Sequence, residues 1–262
     1  MTERAPNFCV LTASGINCDQ ETATGIRLAG GLAELVHLSQ LVEGDRNLGD
    51  YQGLVLPGGF SEGDAVRAGI VLATQLQAGV GDHIREFVDS ERPVLGICNG
   101  FQVLVSMGLL PSGEMYRPQT ASLAPNASGR FACRWVDLRV NTAASTPLLS
   151  PYVAERITLP VANGEGRFRT DPATLARLQA RDEILMQYCG PDGAPSMDLT
   201  HNPSGADDAI AAVAVGAVLG MMPHPERFVQ DEQHANWRRP DYSLQPYGLH
   251  LLRGIVGYAA AV

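Results

Sequence analysis

A chain of 262 residues with a formal charge of −9 and 45% hydrophobic side chains can bury a sizeable core, and its acidic balance argues only for solubility. All 19 basic residues are arginine, which excludes a Schiff-base lysine and a phosphate-loop lysine, and no basic cluster suggests a nucleic-acid surface. The cysteines at 9, 18, 98, 133 and 189 are odd in number and form no Cys-x-x-Cys pair, which argues against a disulfide framework or a zinc site and fits a reducing cytoplasm. Met1-Thr-Glu-Arg is no signal peptide. The longest apolar run, Ala209–Met222, is too short and too rich in Gly and Ala for a bilayer, which needs about 20 residues.

Taken in chain order, Phe8–Leu11 reads as a strand, followed by the turn Ser14-Gly-Ile-Asn-Cys-Asp19 and a helix over Glu21–Ala29. Ala33–Leu38 and Gly53–Leu56 are further strands, the second ending in Pro57-Gly58-Gly59-Phe60. Ala68–Gln77 and His83–Ser90 read as two helices. Pro93–Ile97 is a short apolar run with the character of a buried strand. From Asn99 the residues Phe101, Leu104, Val105 and Met107 recur at helical steps up to Gly108. The alternation of strands and helices predicts an α/β fold with a doubly wound, mostly parallel sheet flanked by helices. On such a sheet ligands bind beyond the carboxyl ends of the strands, so the loops at Gly58–Gly59 and Cys98 should lie side by side.

After Pro111 the rhythm changes. Met115–Ser128 reads as irregular, Arg130–Val140 and Arg156–Val161 as strands, and Asp171–Ala180 as a helix with Pro172 in its first turn. Glu183–Cys189 and Ile210–Val215 complete the strands, and the run from Ala217 delivers His224 from a strand end. There is no internal repeat and no convincing linker. The expectation is one domain over 1–262, with an antiparallel elaboration in its middle third.

Three stretches carry chemistry. Cys98 stands between Gly96 and Gly100 at a strand-to-helix junction, the spacing of a nucleophile elbow with Cys in place of Ser. A lone cysteine on an apolar strand is usually inert, but the paired glycines and the switch to a helix reverse that expectation. A helix N-terminus beneath the sulfur favours the thiolate that attacks. Adjacent Gly58 and Gly59 let backbone N–H groups point into a site, so this loop and the N–H of Asn99 could form an oxyanion hole. His224 stands between two prolines, and Glu226 two residues on can hold one ring nitrogen while the other exchanges a proton. The five remaining histidines read as structural or surface groups.

The segments Gly15-Ile-Asn-Cys-Asp19, Gly58-Gly-Phe-Ser61, Gly96-Ile-Cys-Asn-Gly-Phe-Gln102, Asn126-Ala-Ser-Gly-Arg-Phe131, Gly164-Glu-Gly-Arg-Phe168 and Met222-Pro-His-Pro-Glu-Arg227 together resemble the glutaminase components of phosphoribosylformylglycinamidine synthases, which are class I glutamine amidotransferases. The resemblance runs from the first strand to Arg227. It implies a flavodoxin-like class I amidotransferase fold, hydrolysis of glutamine to glutamate and ammonia, and a role in purine biosynthesis. It assigns Cys98, His224 and Glu226 as the catalytic triad. It further implies that Gly58, Gly59, Phe60, Asn99, Gln102, Asn163, Gly164 and Glu165 form the oxyanion hole and hold substrate. No metal and no cofactor are implied for this chain; ATP and Mg belong to a large synthetase subunit, its expected partner along with a small third subunit. Neither nucleic acid nor membrane is an expected partner. Two positions depart from the family pattern: Asn163 stands where His is usual, and Glu62 where Tyr is common. A stand-alone γ-glutamyl Cys hydrolase, another amidotransferase pathway and a non-catalytic regulatory subunit are the rival readings.

Overall fold

The computed structural model describes residues 5–116, 119–150 and 153–262. The Met1–Arg4 start and two positions of the Met115–Ser128 stretch therefore lie outside the described residues. The first half runs β1 (Asn7–Thr12), α1 (Asp19–Leu28), β2 (Leu32–His37), α2 (Leu38–Val42), β3 (Gly53–Leu56), α3 (Ile70–Asp89), β4 (Val94–Ile97), α4 (Asn99–Ser106) and α5 (Leu109–Ser112). The second half adds β5 (Ala121–Ala124), β6 (Ala132–Val140), β7 (Arg156–Asn163), β8 (Arg167–Thr170), α6 (Pro172–Ala180), β9 (Ile184–Tyr188), β10 (Ile210–Val215), β11 (Val218–Met221) and α7 (Tyr247–Ala259).

Among the described residues nine strands make one sheet in the order β2-β1-β3-β4-β11-β10-β9-β6-β7. Pairings from β2 to β11 are parallel. Those from β11 to β7 are antiparallel, which is the elaboration expected of the middle third. The residue patterns explain the division. β3, β4 and β11 are buried at every position, as strands covered on both faces must be. β7 instead alternates buried and half-buried residues, as an edge strand with one wet face does. α6 begins where expected because the Asp171 side chain accepts from the Ala173 and Thr174 N–H groups and Pro172 fills the first turn.

Several expectations need correction. The two helices foreseen over 68–90 are one, kinked at Val80 (φ −140°), because the flanking Gly79 and Gly81 loosen the ladder without ending it. The stretch read as irregular contains β5. It pairs with β8, which begins at Arg167 in a stretch for which no element was expected, and Phe168 of that ribbon stacks on Phe101 of α4 at 6.0 Å between centroids. His37 is the last residue of β2, as expected of a strand residue, but it is exposed and its side chain caps α2. No element was foreseen at the C-terminus, yet α7 buries Leu251, Leu252, Ile255, Val256 and Ala259. That spacing is helical; glycines at 248, 254 and 257 lower the propensity that would have announced it. Among the described residues no helix is long and apolar enough to cross a membrane.

Candidate active site

β4 and β11 are adjacent parallel strands, with Gly96 opposite Gly220 and Ile97 opposite Met221, and each ends in a reactive side chain. Cys98 leaves β4 with φ 50° and ψ −102°, a left-handed backbone held in place by its N–H on Met221 O at 2.7 Å. Strain at a strand-to-helix junction is what presents a nucleophile. The elbow glycines are steric necessities: a Cβ on Gly100 would stand 1.9 Å from Leu56 O, and one on Gly96 2.7 Å from Gly100 O.

After β11 the chain enters the short turn Pro225–Arg227, with the His224 N–H on Pro160 O at 2.9 Å. α7 clamps that turn, since a Cβ on Gly248 would stand only 1.8 Å from Pro225 O. His224 Nδ1 lies 2.6 Å from Glu226 Oε1, both residues being essentially inaccessible to water. A carboxylate can only accept, so Nδ1 carries a proton, and Nε2, which has no hydrogen-bond partner among the described residues, is the nitrogen left for proton exchange. Burial alone would depress the imidazolium, but the Glu226 carboxylate and the Cys98 and Cys18 sulfurs outweigh it and hold the ring well above its ordinary value. The Cys98 thiol reaches the Ala162 carbonyl at 3.5 Å.

The Gly58–Gly59 loop does lie beside the elbow. A Cβ on Gly58 would meet His224 Cε1 at 2.9 Å, and Gly59 has φ +154°. The Phe60 N–H is committed to Gly15 O at 2.9 Å, while its ring is 46% exposed and lies 6.3 Å from that of Phe131. Asn99 is buried and ties the loop to the elbow: its Oδ1 accepts from Ser61 N–H, and its Nδ2 donates to Asp64 Oδ1 and Gln102 Oε1. Gln102, assigned to substrate, is engaged at both ends by protein groups, because its Nε2 also donates to Glu165 O at 2.7 Å. Glu165 in turn accepts from Ala68 N–H through Oε2. Gly164 is part of the same brace, its carbonyl accepting from Asn126 N–H.

Asn163 is the last residue of β7, and it is buried. Its backbone carbonyl accepts from Asn126 Nδ2 at 2.8 Å, and its carboxamide folds back on Gly166 with neither Nδ2 nor Oδ1 partnered. Asn126, not singled out for a role, organises this turn by also accepting from Gly166 N–H. Glu62, the other departure from the family pattern, is half-buried in the left-handed turn beside Ser14. A cleft of about 620 Å³ among Arg139, Asn141, Glu155, Arg156, Asp182 and Asp192 contains none of these residues. Cys18, His224 and Glu226 are the one group of described residues whose donor atoms cluster closely enough to suit a metal, and the Arg227 guanidinium already stands against its sulfur.

Residues 5–254 match the family described as the CobB/CobQ-like glutamine amidotransferase domain. The phosphoribosylformylglycinamidine synthase subunit PurQ of Dehalococcoides mccartyi is 38% identical over 255 residues, covering 97% of each chain. The chain belongs to the PurQ family. The Pyrococcus furiosus PurQ subunit is 40% identical over 223 residues, 84% of this chain and 88% of its own. Among solved structures, a chain of PurLQS from Thermotoga maritima superposes with a TM-score of 0.74 at 30% identity, covering 97% of this PurQ-family chain and 99% of that one. A glutamine amidotransferase from the same organism, at 15% identity and TM-score 0.55, shares the fold.

Proposed function

We propose that this chain uses Cys98, His224 and Glu226 to hydrolyse glutamine and supplies the ammonia to a PurL-type synthetase making formylglycinamidine ribonucleotide. His224 takes the Cys98 proton and the sulfur bonds to the carboxamide carbon. Collapse of the adduct breaks the C–N bond, and the proton leaves with ammonia. A water then adds to the γ-glutamyl thioester, giving its proton to His224 and from there to the departing Cys98 sulfur. Glu226 holds the ring in the required tautomer. The N–H groups of Gly59 and Asn99 are the oxyanion donors; Phe60 N–H is already spent on Gly15, and the first N–H of a helix has no acceptor within it.

The observation that carries this reading is the delivery of Cys98 and the His224–Glu226 pair from the carboxyl ends of adjacent parallel strands in a PurQ-family chain. The chain acts together with PurL and PurS, the subunits named with PurQ in the Thermotoga structure. ATP and Mg²⁺ are assigned to the synthetase, and no step on this chain passes through them. Burial of four of the five cysteines as free thiols supports a reducing, cytoplasmic setting.

Cys98→Ser tests the reading in the assembled enzyme. A serine hydroxyl lacks the easily formed anion, so glutamine-dependent synthesis disappears while synthesis from added ammonium salts continues. Glutamine turnover by Cys98→Ser, or loss of both activities in a folded complex, contradicts it.

A further inference from the structure

Two parts of the sequence motifs have no role in the reaction as described: the cysteine of Gly15-Ile-Asn-Cys18 and the arginine that closes Pro223-His-Pro-Glu-Arg227. The fold brings them together. Arg227 Nη2 donates to Cys18 Sγ at 3.0 Å across 209 residues of sequence, and the sulfur is 1% exposed. We propose that Cys18 and Arg227 form a positioning pair that keeps the His224–Glu226 contact intact during catalysis. The inference rests on the reading of Cys98 and His224 as the reacting pair.

Cys18 is rigidly placed. It caps α1, its N–H donates to Gly58 O, and its carbonyl accepts from Thr22 Oγ1 at 2.6 Å. A Cβ on Gly58 would stand 3.2 Å from the Cys18 sulfur and 3.4 Å from His224 Nδ1, so sulfur and ring share that surface. With the thiol hydrogen directed to Asn17 Oδ1 at 3.3 Å, the sulfur lone pairs are left for the guanidinium and the ring edge. Arg227 Nε is 3.8 Å from Glu226 Oε1, the same oxygen that His224 Nδ1 reaches at 2.6 Å. It is also 3.7 Å from Glu21 Oε1. The guanidinium and the imidazole thus compete for one carboxylate oxygen, and the sulfur restrains the stronger competitor.

A metal ion is the other occupant that Cys, His and Glu donors suggest. The geometry points away from it. The 2.6 Å contact is shorter than the roughly 3.3 Å separating two ligands of one tetrahedral zinc, and the positive charge is already supplied by Arg227.

The charged and titratable groups around the ring are Glu226 from its own turn, Cys98 from the elbow and Cys18 at the start of α1; Arg227 stands against Glu226 and Cys18, and Glu21 of α1 against Arg227. Removing the sulfur takes away a group that stabilises the imidazolium and frees Arg227 to pull on Glu226. Both effects make His224 lose its proton at lower pH. The assembled enzyme carrying Cys18→Ala, Cys18→Ser, Arg227→Gln or the first and third together separates this role from simple packing. In Cys18→Ala we expect glutamine kcat to fall about tenfold at little-changed KM, with the alkaline limb of the pH profile moved to lower pH. Cys18→Ser, which keeps an acceptor for Arg227, restores part of both, and adding Arg227→Gln to Cys18→Ala, which removes the competitor for Glu226, recovers part of the lost rate. Ammonia-dependent synthesis, which bypasses this site, reports assembly of each variant. An alkaline limb identical to wild type in Cys18→Ala overturns the inference, whatever the change in Tm. So does inhibition by Zn²⁺ alone that is lost in Cys18→Ala, which would reveal a metal site. Glutamine turnover surviving in Cys98→Ser removes the reading beneath it; a dead Cys98→Ser with an unshifted Cys18→Ala removes the positioning role alone.

Discussion

The proton on His224 is governed by a single oxygen. Because Glu226 Oε1 accepts from Nδ1, the imidazolium formed when Cys98 loses its proton is stabilised where it arises, and the ring stays protonated to higher pH than a free histidine. A raised folded value means that this ring contributes stability below the ordinary value near 6.5, and the contribution fades as pH rises through the folded value. Glu226→Gln keeps the geometry but removes the charge, so its glutaminase rate should exceed that of His224→Ala, which has no base at all. Equal and complete losses in two folded variants would give the carboxylate a larger part than orientation. Asn163 is a separate case. A buried carboxamide with both ends unpartnered has hydrogen-bonding capacity in reserve, and it neighbours Ala162, whose carbonyl meets the Cys98 thiol. Asn163→Ala should raise the glutamine KM more than it lowers kcat. A lower Tm with unchanged KM would make it a packing residue of the turn to Gly166.

At the scale of elements, the loop from Gly58 to Asp64 is held by contacts that respond to pH. Asp64 is partly buried, and burial first, then the neighbouring Glu165 charge, raises its carboxyl above the ordinary 3.8 despite hydrogen bonds from Gly69 and Asn99. A raised carboxyl favours the fold when protonated, and that contribution is lost as pH climbs through the folded value. At neutral pH the charged form is therefore a cost. Asp64→Asn should stabilise the chain at pH 7 by less than about 1 kcal/mol, solvent screening being substantial, with the gain shrinking as pH falls through the raised folded value toward the ordinary 3.8. Denaturant midpoints at pH 7 and pH 4 would check it; a variant equally stabilised at both would point to a cause other than charge.

On the scale of the whole molecule, the reactive groups are enclosed. Cys98 is 5% exposed and His224 1%, while Phe60, one residue past Gly59, holds its ring in solvent. A partner surface covering Phe60 would bear directly on the Gly58–Gly59 loop, to which we assign an oxyanion donor. Loss of one such donor costs about 10²–10³ in rate, so a modest loop shift suffices as a switch. The purified chain should accordingly be a slow glutaminase, accelerated by its synthetase partner with nucleotide bound. Full activity from the chain alone, unaltered by the partner, would remove this mechanism of control.

What the sequence determined by itself was local. Gly96 and Gly100 around Cys98, the Gly58–Gly59 pair, the prolines about His224 and the Asp171-Pro172 start of α6 act within a few residues of one another, so spacing alone reveals them. Short fully apolar strands and alternating ones likewise announce, without a partner in view, which parts of a sheet are covered on both faces. Tertiary structure decided the rest. The joining of two helices through Val80, the β5–β8 ribbon against Phe101 and the closure of α7 over Pro225 depend on neighbours distant in sequence. The Cys18–Arg227 contact is the extreme case, since 209 residues separate its partners and no periodicity links them. Side chains so placed meet only because β1 and β11 lie in one sheet and end on the same side, which is a property of strand order and not of any segment.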